Sequence, residues 1–152
     1  MARAPFNVLV YLYCSVGDDD FEYALLKRAD AGFWQGVTGG GEDDEVPLET
    51  ARRETFEETG LSPNSSFLQL DTVEPVRVTE FGNSYLWGES VYVIPQYCFG
   101  VLADDRELVL SHEHTEYRWL GYKEAERLLK WDGNKTALWE LDKRLRGRGP
   151  RG

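Results

Sequence analysis

The chain has 152 residues, 41% hydrophobic and 13% aromatic, with 17 basic against 27 acidic side chains and a formal net charge of -10. That is material for one sizeable core and little of a second, so the expectation is a single domain spanning residues 1–152. The acid excess argues against nucleic-acid polymers and anionic membranes as partners, and any phosphate-bearing ligand would need local help, such as cations held by carboxylates.

Cys14 and Cys98 each stand in an apolar stretch, which suits a reducing compartment better than a disulfide framework, although one bridge between them stays open. Residues 1–5 contain no apolar signal core. The longest apolar run, 8–14, is far short of the ~20 residues that span a bilayer. The expectation is a soluble, cytoplasmic protein.

In chain order, residues 6–14 are apolar on both alternating faces, as in a centrally buried strand. Gly17 to Asp20 then turns the chain into a second strand, 21–28, completing a hairpin. A short third strand is expected at 33–38. The glycine-rich segment 39–45 cannot pack a core and reads as a loop feeding a helix. That helix, Pro47–Thr59, has Pro47 in its first turn and ends at Gly60, with Ser62 and Pro63 blocking continuation. Strands follow at 67–78 and 90–102, and Pro95 within the latter suggests an edge position or a bulge. Shorter strands are expected at 107–110 and 117–120, then helices at 123–131 and 135–145. The stretch 143–152 reads as a basic, frayed tail rather than a nucleic-acid arm.

The chemistry concentrates on the first helix. Glu54, Glu57 and Glu58 stand at i, i+3 and i+4, so three carboxylates share one face within about 6 Å. At an effective dielectric near 20 each pair repels by roughly 2 to 3 kcal/mol, which a bound divalent cation would reverse. All-oxygen ligands select hard ions, magnesium first and manganese second. By themselves the three glutamates favour an exposed acidic face, where solvent removes most of the repulsion. Arg53, able to reach Glu49 and Glu57, and the adjacent glycines shift the weight. Backbone groups from Thr38 through Gly39 and Gly40 can approach a metal or phosphate there.

Gly39, five residues, Glu45, seven residues, Arg53-Glu54, two residues, Glu57-Glu58, one residue, Gly60-Leu61: this spacing resembles the signature of the Nudix hydrolases. Thr55 is the one departure, standing where an aliphatic residue is usual, on the core side. The resemblance implies an α/β/α sandwich around a mixed sheet. It makes Glu57 and Glu58 the principal magnesium ligands, Glu54 a further ligand or base, and Arg53 the residue that orients them. Glu45 would support the group and the Thr38 carbonyl would complete it. The distant acid of the family is sought in Ser111 to Leu120, with Glu113 first and Glu116 second. His112 and His114 receive no metal role.

Arg28 either contacts a phosphate or ends a strand. Phe33 and Trp34 either pack the core or, as Trp34 could, stack on a heterocycle beside Gln35. The segments around Arg28, Trp34, Gln35 and Glu113 resemble most the branch acting on dihydroneopterin triphosphate and deoxynucleoside triphosphates. Dinucleoside polyphosphate and ADP-ribose hydrolases are the rivals, and a non-catalytic nucleotide-binding module is the alternative outside the class. The implied partner is a small nucleotide-like molecule, handled by a monomer or homodimer.

Overall fold

The structure is a computed structural model that describes residues 3–81 and 86–147. Seven strands form one mixed sheet: β1 (Arg3–Gly17), β2 (Asp20–Arg28), β3 (Trp34–Gln35), β4 (Val37–Glu42), β5 (Phe67–Arg77), β6 (Val93–Leu102) and β7 (His114–Leu120). Three helices cover it: α1 (Pro47–Thr59), α2 (Tyr122–Leu128) and α3 (Asp132–Arg146). β1 is the spine. Its C-terminal half closes the expected hairpin with β2, its N-terminal half pairs with β4, and its other edge runs parallel to β6.

The double-faced apolar pattern of β1 explains its place. Phe6, Val8, Val10 and Leu12 pack with Ala51 and Leu61 beneath α1, while Leu9 and Tyr11 pack with Leu138 and Leu141 beneath α3. Each fully buried leucine contributes about 1.5 to 3 kcal/mol of hydrophobic stabilisation. Helices on both faces of a mixed sheet make the α/β/α sandwich. No helix among the described residues is long and apolar enough to cross a membrane.

Several expected boundaries move, each for a local reason. The glycines 39–41 are not a loop: they belong to β4, where Gly39 pairs with Val8 and Gly40 with Asn7, and only residues 43–46 turn into α1. β6 is an interior strand. Pro95 stands opposite Pro75 on β5, one residue before pairing with β1 begins at Gln96, and the register shift lies between Gln69 and Val73 instead. Residues 107–110 form no strand, because their amides find other partners: Val109 N–H donates to the Thr59 carbonyl at the end of α1 at 2.9 Å, Leu108 N–H to the Tyr117 hydroxyl and Glu107 N–H to the Asp105 carboxylate. β7 begins at His114, three residues early, and α2 ends at Leu128. α3 continues through Arg146, so 143–146 is no tail. Its cations suit a helix C-terminus, and Arg144 and Arg146 reach back to Glu140 and Asp142 at i-4. Gly147 caps the helix, and residues 148–152 of that predicted tail lie outside the described residues.

Candidate active site

α1 begins at Pro47 after Val46, whose N–H donates to the Glu49 carboxylate at 2.9 Å. Glu49 is therefore a helix cap, not the partner of Arg53 that the i-4 spacing suggests. At the other end Gly60 adopts φ +78°, a left-handed conformation, and its N–H donates to the Phe56 carbonyl at 2.9 Å. The helix lies over β4 and β1, which turns its glutamates toward the glycine strand.

Arg53 organises the group. Nε and Nη2 grip both oxygens of Glu45 at 2.8 and 2.9 Å. Nη1 donates to Glu54 at 2.8 Å and to Glu57 at 3.4 Å, and Nη2 donates also to the Gly40 carbonyl at 2.9 Å. One planar guanidinium thus ties α1 to β4 and to the turn between them. Arg53 first, then the Thr50 hydroxyl and Glu42 amide, hold Glu45 down at about 2.

Gly39 faces Glu54 so closely that a Cβ there would overlap its carboxyl group. Burial raises the pKa of Glu54 and the neighbouring Arg53 opposes that rise. Glu57 is the exposed member.

Glu58 is buried, and the segment after residue 107 closes over it. The Ser111 hydroxyl donates to Glu58 Oε1, and the Glu113 N–H donates to the Ser111 hydroxyl oxygen at 3.3 Å, which brings the Glu113 loop to Glu58. Burial first, then the proton contest with Glu113, pushes Glu58 well above the usual carboxylate range, while Glu113 is held low. Among the described residues Glu58 Oε2 has no hydrogen-bond partner. His114 is buried beside it. The Gln35 amide meets imidazole Nε2 at 3.2 Å, so the ring proton sits on Nδ1, 3.9 Å from Glu58. Burial and Arg28 lower the imidazole pKa and keep it neutral.

Of the expected distant acids, Glu113 is the one placed at α1; Glu116 lies along β7 between Lys27 and Arg118. The Glu113 carbonyl accepts from Ala29 N–H at 2.9 Å, which anchors its loop to the end of β2. Arg28, there, grips Asp30 through two bonds of 2.7 and 3.0 Å. Trp34 is buried in the core beneath α3, with the Arg118 guanidinium 4.8 Å from its ring centroid. Gln35 is buried and also reaches the Thr38 hydroxyl at 3.4 Å. Gly40 serves Arg53 through its carbonyl and makes room on its other side for Arg3.

Ser111 and His114 at the site, and Arg3 beside it, were not assigned roles from sequence. His114 stands out in the sequence only as half of the His112 and His114 pair; Ser111 and Arg3 carry no such signal.

The donor set suits a hard divalent cation: carboxylate oxygens throughout, one of them buried and unpartnered. No three potential side-chain ligands among the described residues converge into a closed cage. Magnesium does not require one, since it keeps several waters and usually takes one or two carboxylates together with substrate phosphates.

An α/β/α sandwich that turns a carboxylate-bearing helix toward a glycine strand, with an arginine locking the two together, is an arrangement that suits a hydrolase. The NUDIX domain family model matches residues 7–139, and the chain belongs to the Nudix family of hydrolases. It is 30% identical over 135 residues to a dihydroneopterin triphosphate diphosphatase of Haemophilus influenzae, covering 87% of this chain and 84% of that protein. It is 35% identical over 145 residues to an asymmetrical bis(5'-nucleosyl)-tetraphosphatase of Sus scrofa, covering 92% and 93%. A crystal structure described as a NUDIX hydrolase of Listeria monocytogenes superposes with a TM-score of 0.84 at 39% identity, over 95% and 96% of the two chains.

Proposed function

We propose that this Nudix pyrophosphohydrolase acts on a dihydroneopterin or deoxynucleoside triphosphate, with magnesium as its cofactor and manganese as a substitute. Water attacks one phosphorus of the anhydride, a P–O bond forms, the bridging P–O bond breaks, and pyrophosphate leaves the monophosphate behind. The observation that carries this reading is the group of Glu54, Glu57 and Glu58 on one helix, tied through Arg53 to Glu45 and Gly40 and through Ser111 to the Glu113 loop.

In this reading Glu57 and Glu58 hold the cation, with Glu54, Glu113 and the Thr38 carbonyl as further ligands. Magnesium, when bound, supplies charge neutralisation at the phosphoryl oxygens. Glu54 or Glu113 takes the proton of the attacking water. Arg53 fixes the carboxylates, so little reorganisation is needed at the moment of reaction. Gln35, Gly39 and Gly40 line the approach from β3 and β4, and Arg28 adds positive charge near Glu113. The buried Trp34 contributes support from beneath.

The test is magnesium-dependent turnover of dihydroneopterin triphosphate, deoxynucleoside triphosphates and diadenosine tetraphosphate. Glu57→Gln should lower kcat by about 10²- to 10⁴-fold. Comparing Glu54→Gln with Glu113→Gln assigns the base through the loss of the alkaline-going limb of the pH profile. Release of ATP and AMP from diadenosine tetraphosphate, with the triphosphates untouched, would favour a second reading supported by the resemblance to the tetraphosphatase.

A further inference from the structure

Arg3, at the start of β1, lies against the α-carbon of Gly40: a Cβ at that glycine would coincide with its guanidinium. Two rings fix it there. Its guanidinium carbon is 5.0 Å from the Phe81 ring centroid and 5.7 Å from that of Trp87, and the Trp87 indole N–H donates to the Arg3 carbonyl at 2.9 Å. The charges that reach it are Glu54 and Glu42, which attract, and Arg53, which repels. Yet among the described residues its buried Nη2 has no acceptor.

This combination is costly without a ligand. A buried, unpaired N–H of a charged group forfeits hydration that the aromatic contacts do not return. The rings occupy the guanidinium faces, and what faces leave over is the in-plane edge, where N–H groups match phosphoryl oxygens. The location has the same logic. Gly39 and Gly40 point to opposite faces of β4, the first toward Glu54 and the second toward Arg3, so the strand carries carboxylate on one side and guanidinium on the other.

We infer that Arg3 is a substrate-binding residue that donates to a phosphoryl oxygen of the diphosphate, reaching it past Gly40. The inference rests on the phosphoanhydride reading above for its ligand class. Phe81 and Trp87 position the guanidinium, and the missing side chain of Gly40 leaves it room.

The test uses methylenediphosphonate, a diphosphate mimic that cannot be hydrolysed and carries no heterocycle. Its binding to the full chain is measured calorimetrically in magnesium for wild type, Arg3→Lys and Arg3→Met, with the Tm of each. Arg3→Met keeps the alkyl stem against the rings and removes the donors. The expected result is a Kd raised about 10-fold or more in Arg3→Met, an intermediate value in Arg3→Lys, and the same ratio in KM for whichever triphosphate is turned over. An unchanged Kd with a lowered Tm makes Arg3 a structural pillar and overturns the inference, as does an absence of binding to wild type. Arg3-dependent binding without hydrolysis of any substrate would keep Arg3 and remove the proposed activity instead. Hydrolysis with an Arg3-independent Kd would do the reverse.

Discussion

Thr55 departs from the family pattern, and its surroundings show the consequence. It is fully buried on the core side of α1, and among the described residues its hydroxyl has no hydrogen-bond partner; its carbonyl accepts from Thr59 at 2.7 Å. An unpaired buried hydroxyl is a net loss. Thr55→Val keeps the shape and removes the hydroxyl, so it should gain about 1 kcal/mol, read as a Tm increase of roughly 2 to 4 °C. A lowered Tm would mean the hydroxyl has an acceptor in solution. The same scale shows what residue types reveal by themselves. The spacing of Arg53, Glu54, Glu57 and Glu58 was legible because a helix repeats every 3.6 residues and fixes which carboxylates meet. The Ser111 bond to Glu58 was not, because a serine in a polar loop looks the same whether it faces water or a buried carboxylate.

At the scale of elements, strands and helices whose apolar positions repeat were legible, including β1, β2, β5, α1 and α3. What failed were segments whose conformation is decided by a distant partner. β4 looked like a loop because three glycines have no side-chain pattern, yet the open edge of β1 gives their backbone its bonds. The 107–110 segment looked like a strand from Leu108 and Leu110, but the carbonyls of Thr59 and Glu58 take the amides of Val109 and Ser111 and dock the loop that carries Glu113 on the end of α1. The turn joining β4 to α1 permits a sharper test, because Glu45 locks it through Arg53. The carboxyl titrates at 4.5 when unperturbed and at about 2 in the fold. The unfolded chain therefore binds more protons between these values, and stability from this group is complete above about 4.5 and lost as pH falls through about 2. Glu45→Gln should cost about 1 to 3 kcal/mol at pH 7. In chemical denaturation curves at successive pH values, the gap from wild type should narrow steadily below pH 4.5. A gap that stays constant would show that Glu45 acts through packing rather than charge.

The whole molecule carries its charge of -10 unevenly. Arg144 and Arg146 fasten α3 to Asp71 and Asp20 on one side of the sheet, whereas Arg53 faces Glu42, Glu45, Glu54 and Glu57, with Arg3 near Glu54 and Glu42. Two guanidiniums do not neutralise four carboxylates, and Glu58 with Glu113 adds a further acidic pair beside them. The fold therefore keeps an electrostatic debt on its α1 face, which a bound cation would remove. If the carboxylates bind magnesium before substrate arrives, the native state is stabilised by mass action, about 2.7 kcal/mol at a hundredfold excess over Kd. The expected outcome is a Tm that climbs with magnesium concentration and returns on chelation. Sodium chloride at equal ionic strength should reproduce little of it, since screening acts on exposed charges and Glu58 is buried. Glu58→Gln should flatten the magnesium dependence and, by removing a carboxyl group whose ionisation burial opposes, raise the Tm measured without metal above about pH 8. A wild-type Tm indifferent to magnesium would mean that the cation enters only with the substrate's phosphates, and that the acidic face is completed by the ligand rather than by the protein.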